Sequence, residues 1–174
     1  MNNEFFIRKT LSLARRSRGR TSPNPMVGAL LVKNGRIVSY GYHKRAGTPH
    51  AEVIAIDNAG KKAKGTTLYV NLEPCCHRDK RTPPCTEKII SSGIKKVVIA
   101  MKDPNPNVSG KGIIELKKAG LEVISGILED EARRLNEFYI KYITTGMPFV
   151  VMKVAMTLDG KIATYEGESK WITG

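Results

Sequence analysis

The chain has 174 residues, 41% hydrophobic and 26% charged, with a net charge of +13. That length builds one well-buried domain with sequence to spare, and the composition excludes a disordered or fibrous protein. The longest apolar runs, such as MVGALLV and KVVIAM, are far too short to cross a bilayer.

The basic N-terminus, MNNEFFIRKTLSLARRSRGR, has its apolar positions broken by charges and lacks the apolar core and cleavage site of a secretory signal. Glu4 and an immediate run into helical pattern count against a mitochondrial transit peptide. A cytoplasmic location is expected, and there three cysteines suggest metal or catalysis before disulfides. The positive charge suits a polyanionic or phosphorylated partner, or equally a lysine-rich solvated surface, since the basic residues are scattered in pairs.

Ile7, Leu11 and Ala14 recur at helical spacing, which predicts a helix over residues 4–16. The loop TSPNPMVG follows, because prolines on both sides of Asn24 exclude regular structure. ALLV-KNGR-IVSYG predicts a hairpin around an Asn-Gly turn. TPHAEVIAIDNAG predicts a helix that opens near His50 and stops at Gly60. TTLYVNL reads as a buried strand, and at its end begins EPCCHRDKRTPPC, Glu73 to Cys85, which holds all three cysteines. TPPCTEKIISSG predicts a helix with proline in its first turn and Gly93 past its end.

KKVVIAM is the next strand, DPNPNVSGKG a loop, IIELKKAG a short helix and LEVISG a strand. LEDEARRLNEFYIKYI predicts one long helix with Ala132, Leu135, Tyr139 and Tyr142 on one face. Strands alternating with helices after a hairpin predict an α/β protein, a three-layer α/β/α sandwich with a mixed five-stranded sheet. This domain ends near Ile143, and TTGMP marks a boundary between residues 1–145 and 146–174. The remainder starts a new apolar strand but has too few residues to close a second core. Either it opens a truncated second domain, or it lies against the first.

His50 stands at the start of one helix, Cys75 at the end of a strand and Cys85 at the start of the next helix. One imidazole and two thiolates form a borderline-soft donor set with an open fourth position, which suits catalytic zinc. Glu52, two residues from His50, can stand beside that position, take a proton from the attacking water and pass it to a leaving group. Taken singly, a histidine at a helix start is more often structural, an exposed glutamate solvated and a buried cysteine inert. Together they form the His-x-Glu…Pro-Cys…Cys pattern of zinc deaminases. Nine residues separate Cys75 from Cys85, where many zinc deaminases have two, and the intervening loop brings His77, Lys80 and Arg81 toward the site. Cys76 reads as an idle thiol, since adjacent residues rarely reach one metal.

TSPNPMVGALLV, GYHKRAGTPHAE, LEPCCHRDKRTPPC and DPNPNVSGKG resemble the deaminase domain of the RibD family of bifunctional riboflavin biosynthesis proteins. PFVVMKVAMTLDGKIA and GESKWITG resemble the opening of that family's reductase domain. The resemblance covers nearly the whole chain, with one residue more than the family's PCxHxGxTPPC between His77 and Thr82. It implies a cytidine deaminase-like fold followed by the first strand of a dihydrofolate-reductase-like domain. The implied reaction is deamination of 2,5-diamino-6-ribosylamino-4(3H)-pyrimidinone 5′-phosphate to the corresponding pyrimidinedione.

By position Asn24 would read the pyrimidine edge, with His43, His77 and Lys80 or Arg81 holding base and ribose phosphate. Without the resemblance, Asn24 reads equally as a turn residue and His43 as a strand-end surface residue. The resemblance also implies NADPH as the reductase cofactor, with Lys153, Ala155, Ser169 and Trp171 at matching positions. These 174 residues are expected not to perform the reduction. The expected partner is a small phosphorylated aminopyrimidine, in a homo-oligomer acting on neither nucleic acid nor membrane.

Two rivals stand beside this reading. A tRNA adenosine deaminase fits the basic charge, but the long cysteine gap, the reductase-like tail and 6% aromatic content count against it. A structural zinc module would need a fourth protein ligand, from Cys76 or His77, and would leave Glu52 without a task.

Overall fold

The computed structural model describes residues 2–77 and 83–170. Helix α1 spans Asn3–Arg15, and the Asn2 side chain caps it by accepting from the Phe5 N–H at 3.1 Å. Strands β1 (Gly28–Lys33) and β2 (Arg36–Tyr42) form the expected hairpin. Asn34 and Gly35 turn it with φ of 50° and 75°, the positive pair that a tight hairpin requires. Helix α2 (Ala51–Ala59) ends at Gly60, and a short 3₁₀ turn over Gly60–Ala63 leads to β3 (Thr67–Leu72). Then come α3 (Cys85–Ser91), β4 (Lys96–Met101), α4 (Lys111–Lys118) and β5 (Glu122–Ser125). Helices α5 (Glu129–Leu135) and α6 (Glu137–Thr145) close the domain.

The sheet order is β2-β1-β3-β4-β5. β1 runs antiparallel to β2 and β3, whereas β3, β4 and β5 are parallel, so the sheet is mixed as predicted. β3 and β4 are almost wholly buried, which is why they read as unbroken apolar runs. Alternate side chains serve two cores. Leu68, Val70, Val97 and Ile99 meet Ala55 of α2, Ile89 of α3 and Leu116 of α4. Tyr69, Val98 and Ala100 meet Phe6, Ile7 and Leu11 of α1 and Ala132 of α5. Each fully buried Val, Leu or Ile side chain here contributes about 1.5–3 kcal/mol of transfer free energy.

Close backbone approach sets α2 on the hairpin. A Cβ at Gly41 would lie 2.3 Å from the Ala51 carbonyl oxygen, so only glycine lets β2 and the first turn of α2 touch. The Ser39 hydroxyl donates to the Ala55 carbonyl at 2.6 Å and locks the same contact. His50, at the N-cap of α2, is thereby held at the rim of the sheet.

Three local expectations are corrected. The long C-terminal helix is two, broken at Asn136 (φ −107°, ψ 23°), whose side chain bonds the Met26 backbone. The face predicted for it therefore divides, with Ala132 buried and Tyr142 49% exposed. In α3 the prolines precede the first turn rather than sit in it, because Pro84 is the N-cap. Among the described residues after Thr145 no strand forms, since a strand exists only as a partner in a ladder and none pairs with this segment. Among the described residues no helix is long and apolar enough to cross a membrane.

Candidate active site

Three chain segments meet at one end of the sheet. The N-cap of α2 supplies His50, the chain leaving β3 supplies Cys75, and the first residue of α3 is Cys85. His50 Nδ1 lies 3.2 Å from Cys85 Sγ and 3.6 Å from Cys75 Sγ, and the three ligand-type atoms all fall within 4.8 Å of one another. A tetrahedral zinc with Zn–N of about 2.1 Å and Zn–S of about 2.3 Å sets N and S about 3.5 Å apart. The donors and their separations fit that ion. The Cys85 backbone N–H also donates to Cys75 Sγ at 3.3 Å. Cys75 and Cys85 are both buried, His50 half-buried.

Glu52 lies in the first turn of α2 and is 4% exposed. Its Oε2 is buried and has no hydrogen-bond partner among the described residues, while the Cys85 side chain hydrogen-bonds the carboxyl. Burial raises its pKa, opposed by the pull of His50 and reinforced by Cys75. An unsatisfied carboxylate oxygen against a convergent His-Cys-Cys set is costly in a core and useful in a reaction.

His43 follows β2 directly and is buried, its ring edge-on to His50 with centroids 5.5 Å apart. His43 Nδ1 donates to the Pro49 carbonyl at 3.2 Å, which leaves Nε2 to accept from Asn24 Nδ2, also at 3.2 Å. Burial lowers the pKa of His43, partly offset by the Pro49 bond, so the neutral ring matches this pattern. The structure thus brings Asn24, His43, His50, Glu52, Cys75 and Cys85 together. His77 is half-buried just beyond the cysteines, whereas Lys80 and Arg81 lie outside the described residues. Cys76 is half-buried, and burial, with Glu115 and Glu73 nearby, raises its thiol pKa. Lys153, Ala155 and Ser169 are exposed along the tail, and Trp171 lies outside the described residues. A cleft of about 470 Å³ between the Asn24 loop and α6 is lined by Asn24 but by none of His50, Glu52, Cys75 and Cys85.

Several supporting residues escaped sequence reasoning. Glu73 is buried, and its carboxylate accepts from the Asp103, Gly110 and Ile113 N–H groups at 3.2, 2.9 and 3.1 Å. It joins the chain just before Cys75 to the start of α4. Asp103 accepts from the Tyr139 hydroxyl at 2.8 Å. Asn71 and Asn136, 0% and 1% exposed, bond residues 26–28. The available signal was a polar residue inside an apolar pattern, as in TLYVNL.

This fold and site define a zinc deaminase-type domain. Residues 1–101 match the cytidine and deoxycytidylate deaminase zinc-binding region, and the chain belongs to that family. Residues 148–174 match the RibD C-terminal domain. The riboflavin biosynthesis protein RibD of Aquifex aeolicus (strain VF5) is 58% identical over 168 residues, covering 97% of this chain and 47% of that protein. The crystal structure of a diaminohydroxyphosphoribosylaminopyrimidine deaminase/5-amino-6-(5-phosphoribosylamino)uracil reductase from Thermotoga maritima is 52% identical, with a TM-score of 0.94. That alignment covers 99% of this chain and 50% of the other. The Aspergillus oryzae Rib2 deaminase in complex with DARIPP is 28% identical with a TM-score of 0.66, over 83% of this chain and 99% of that one. The chain spans about half the length of the curated relatives it matches.

Proposed function

We propose that this chain hydrolytically deaminates 2,5-diamino-6-ribosylamino-4(3H)-pyrimidinone 5′-phosphate at ring C2, releasing ammonia and the pyrimidinedione. The observation that carries this reading is the Glu52 carboxyl, buried with one unsatisfied oxygen beside His50, Cys75 and Cys85. His50, Cys75 and Cys85 hold the zinc, which when bound supplies Lewis-acid activation of water near neutral pH. Glu52 takes the proton of the attacking water and returns it to the departing amine, so the C–N bond breaks with ammonia as leaving group. Neutral His43 fixes Asn24 through one amide hydrogen. The Asn24 carbonyl and its second N–H remain for the pyrimidine edge. His77 and Lys80 or Arg81 bind base and ribose phosphate, and the phosphate gives part of the positive charge a purpose.

Residues 1–145 form the deaminase unit and 146–174 the opening of a reductase domain. Lys153, Ala155, Ser169 and Trp171 contact NADPH or substrate in that domain. The setting is cytoplasmic, the partner a small phosphorylated molecule rather than nucleic acid, and the assembly a homo-oligomer. Ammonia release from the diaminopyrimidine ribotide, before and after zinc chelation, tests the reading. Chelator-sensitive release is the expected result. No release from folded, zinc-loaded chain would overturn it, and a tRNA substrate would be tested next.

A further inference from the structure

We propose that Asn136, with Asn71 beside it, is a positioning residue that holds Asn24 and His43 in register with the metal ligands; this rests on the deaminase reading above. Asn136 Oδ1 accepts from the Met26 N–H at 2.8 Å, and its Nδ2 donates to the Met26 carbonyl at 3.1 Å. One side-chain amide thus pairs both backbone groups of Met26, as a neighbouring strand would. From β3, Asn71 Nδ2 donates to the same carbonyl at 3.0 Å, and its Oδ1 accepts from the Gly28 N–H at 2.7 Å. Both amides are buried, where an amide without partners costs several kcal/mol, about 2–7 by reference state. Both are satisfied by one short stretch of backbone.

That stretch leads directly into the site. Asn24 is two residues before Met26, and its backbone N–H donates to Thr21 O at 2.7 Å. The Val27 carbonyl accepts from the His43 N–H at 2.9 Å, so the loop is tied to His43 through backbone as well as through Asn24. His43 in turn bonds Pro49, next to His50. A linked path therefore runs from the break between α5 and α6 to the first metal ligand. The helix is interrupted at the residue whose side chain makes this path, and a helix former there would continue α5 into α6 with no hold on Met26.

The test uses the full chain with Asn136→Ala, Asn136→Asp and Ala132→Gly. Asn136→Asp keeps the acceptor for the Met26 N–H and loses the donor to its carbonyl. Ala132→Gly loosens the same helix pair without touching Met26. Readouts are the ¹⁵N resonance of His43 Nε2 without substrate, zinc content, and KM against kcat for ammonia release. The chain has three histidines, so that resonance is readily assigned. Asn136→Ala is expected to shift the His43 resonance toward that of Asn24→Ala. It should also raise KM roughly tenfold or more, the size of a lost hydrogen bond, with zinc content unchanged and kcat little altered. If Asn136→Ala does not fold, Asn136→Asp is read by the same criteria. A wild-type resonance and KM in a folded Asn136 variant would overturn the proposal, as would equal changes in Ala132→Gly. Because the resonance is read without substrate, it decides the anchor even where wild-type chain releases no ammonia, a result that sinks the deaminase reading separately.

Discussion

Glu52 combines a buried position with one carboxyl oxygen that has no partner among the described residues, and the proposed proton-transfer role would use both. Glu52→Gln keeps the shape and removes the base. It is expected to lower ammonia release by about 10²–10⁴-fold while the chain retains its zinc, checked by turnover and metal analysis on one preparation. Loss of metal together with turnover would return Glu52 to a structural role. At this scale His50, Glu52, Cys75 and Cys85 were legible because each sits at or near a recognisable helix start or strand end. Asn136 was not, since a polar residue within an amphipathic pattern does not announce that it binds backbone 110 residues away.

Glu73 and Gly41 tie neighbouring elements to the site. Glu73 accepts from three buried or half-buried backbone N–H groups, that of Asp103 after β4 and those of Gly110 and Ile113 at the entry to α4, and Glu73→Ala leaves them without their acceptor. The expected cost is about 3 kcal/mol, measured by chemical denaturation, with the chain around Cys75 loosened as a consequence. Gly41→Ala would force α2 off β2 where the added Cβ meets the Ala51 carbonyl. About 1–3 kcal/mol of destabilisation is expected, together with weaker zinc retention, because His50 moves with α2.

The Tyr139–Asp103 bond links α6 to the loop after β4, and burial and Asp103 both raise the tyrosine pKa. Unfolded tyrosine ionises near pH 10 while folded Tyr139 stays protonated, so this stabilisation is present below about pH 10 and lost above it. Tyr139→Phe should flatten that alkaline decline, as followed by denaturation midpoints at about pH 8 and 11. The strands and helices themselves were readable from period and punctuation. Among the misreadings, the fused α5 and α6 arose because Asn136 interrupts an otherwise continuous helical pattern through a side-chain contact with distant backbone.

For the whole molecule, one metal would tie α2, the end of β3 and α3, three segments joined by long connections. Zinc at a hundredfold excess over its Kd should then stabilise the chain by about 2.7 kcal/mol. That corresponds to a rise in Tm of about 5–10 °C over chelated protein, by calorimetry with and without added zinc. An unchanged Tm would mean that zinc does not bind the folded chain in preference to the unfolded one, and would overturn the metal site.

Periodicity, turn residues and the tight clustering of thiols by themselves determined the α/β/α architecture, the five strands and the His-Cys-Cys donor set, because these signals are local. Only the tertiary structure decided how the Asn24 loop is held, why Glu73 is buried beside Cys75, and where the last helix breaks. The physical reason is one of range. Buried side-chain amides and carboxylates must find backbone partners, and here the fold supplies them from segments 30–110 residues away.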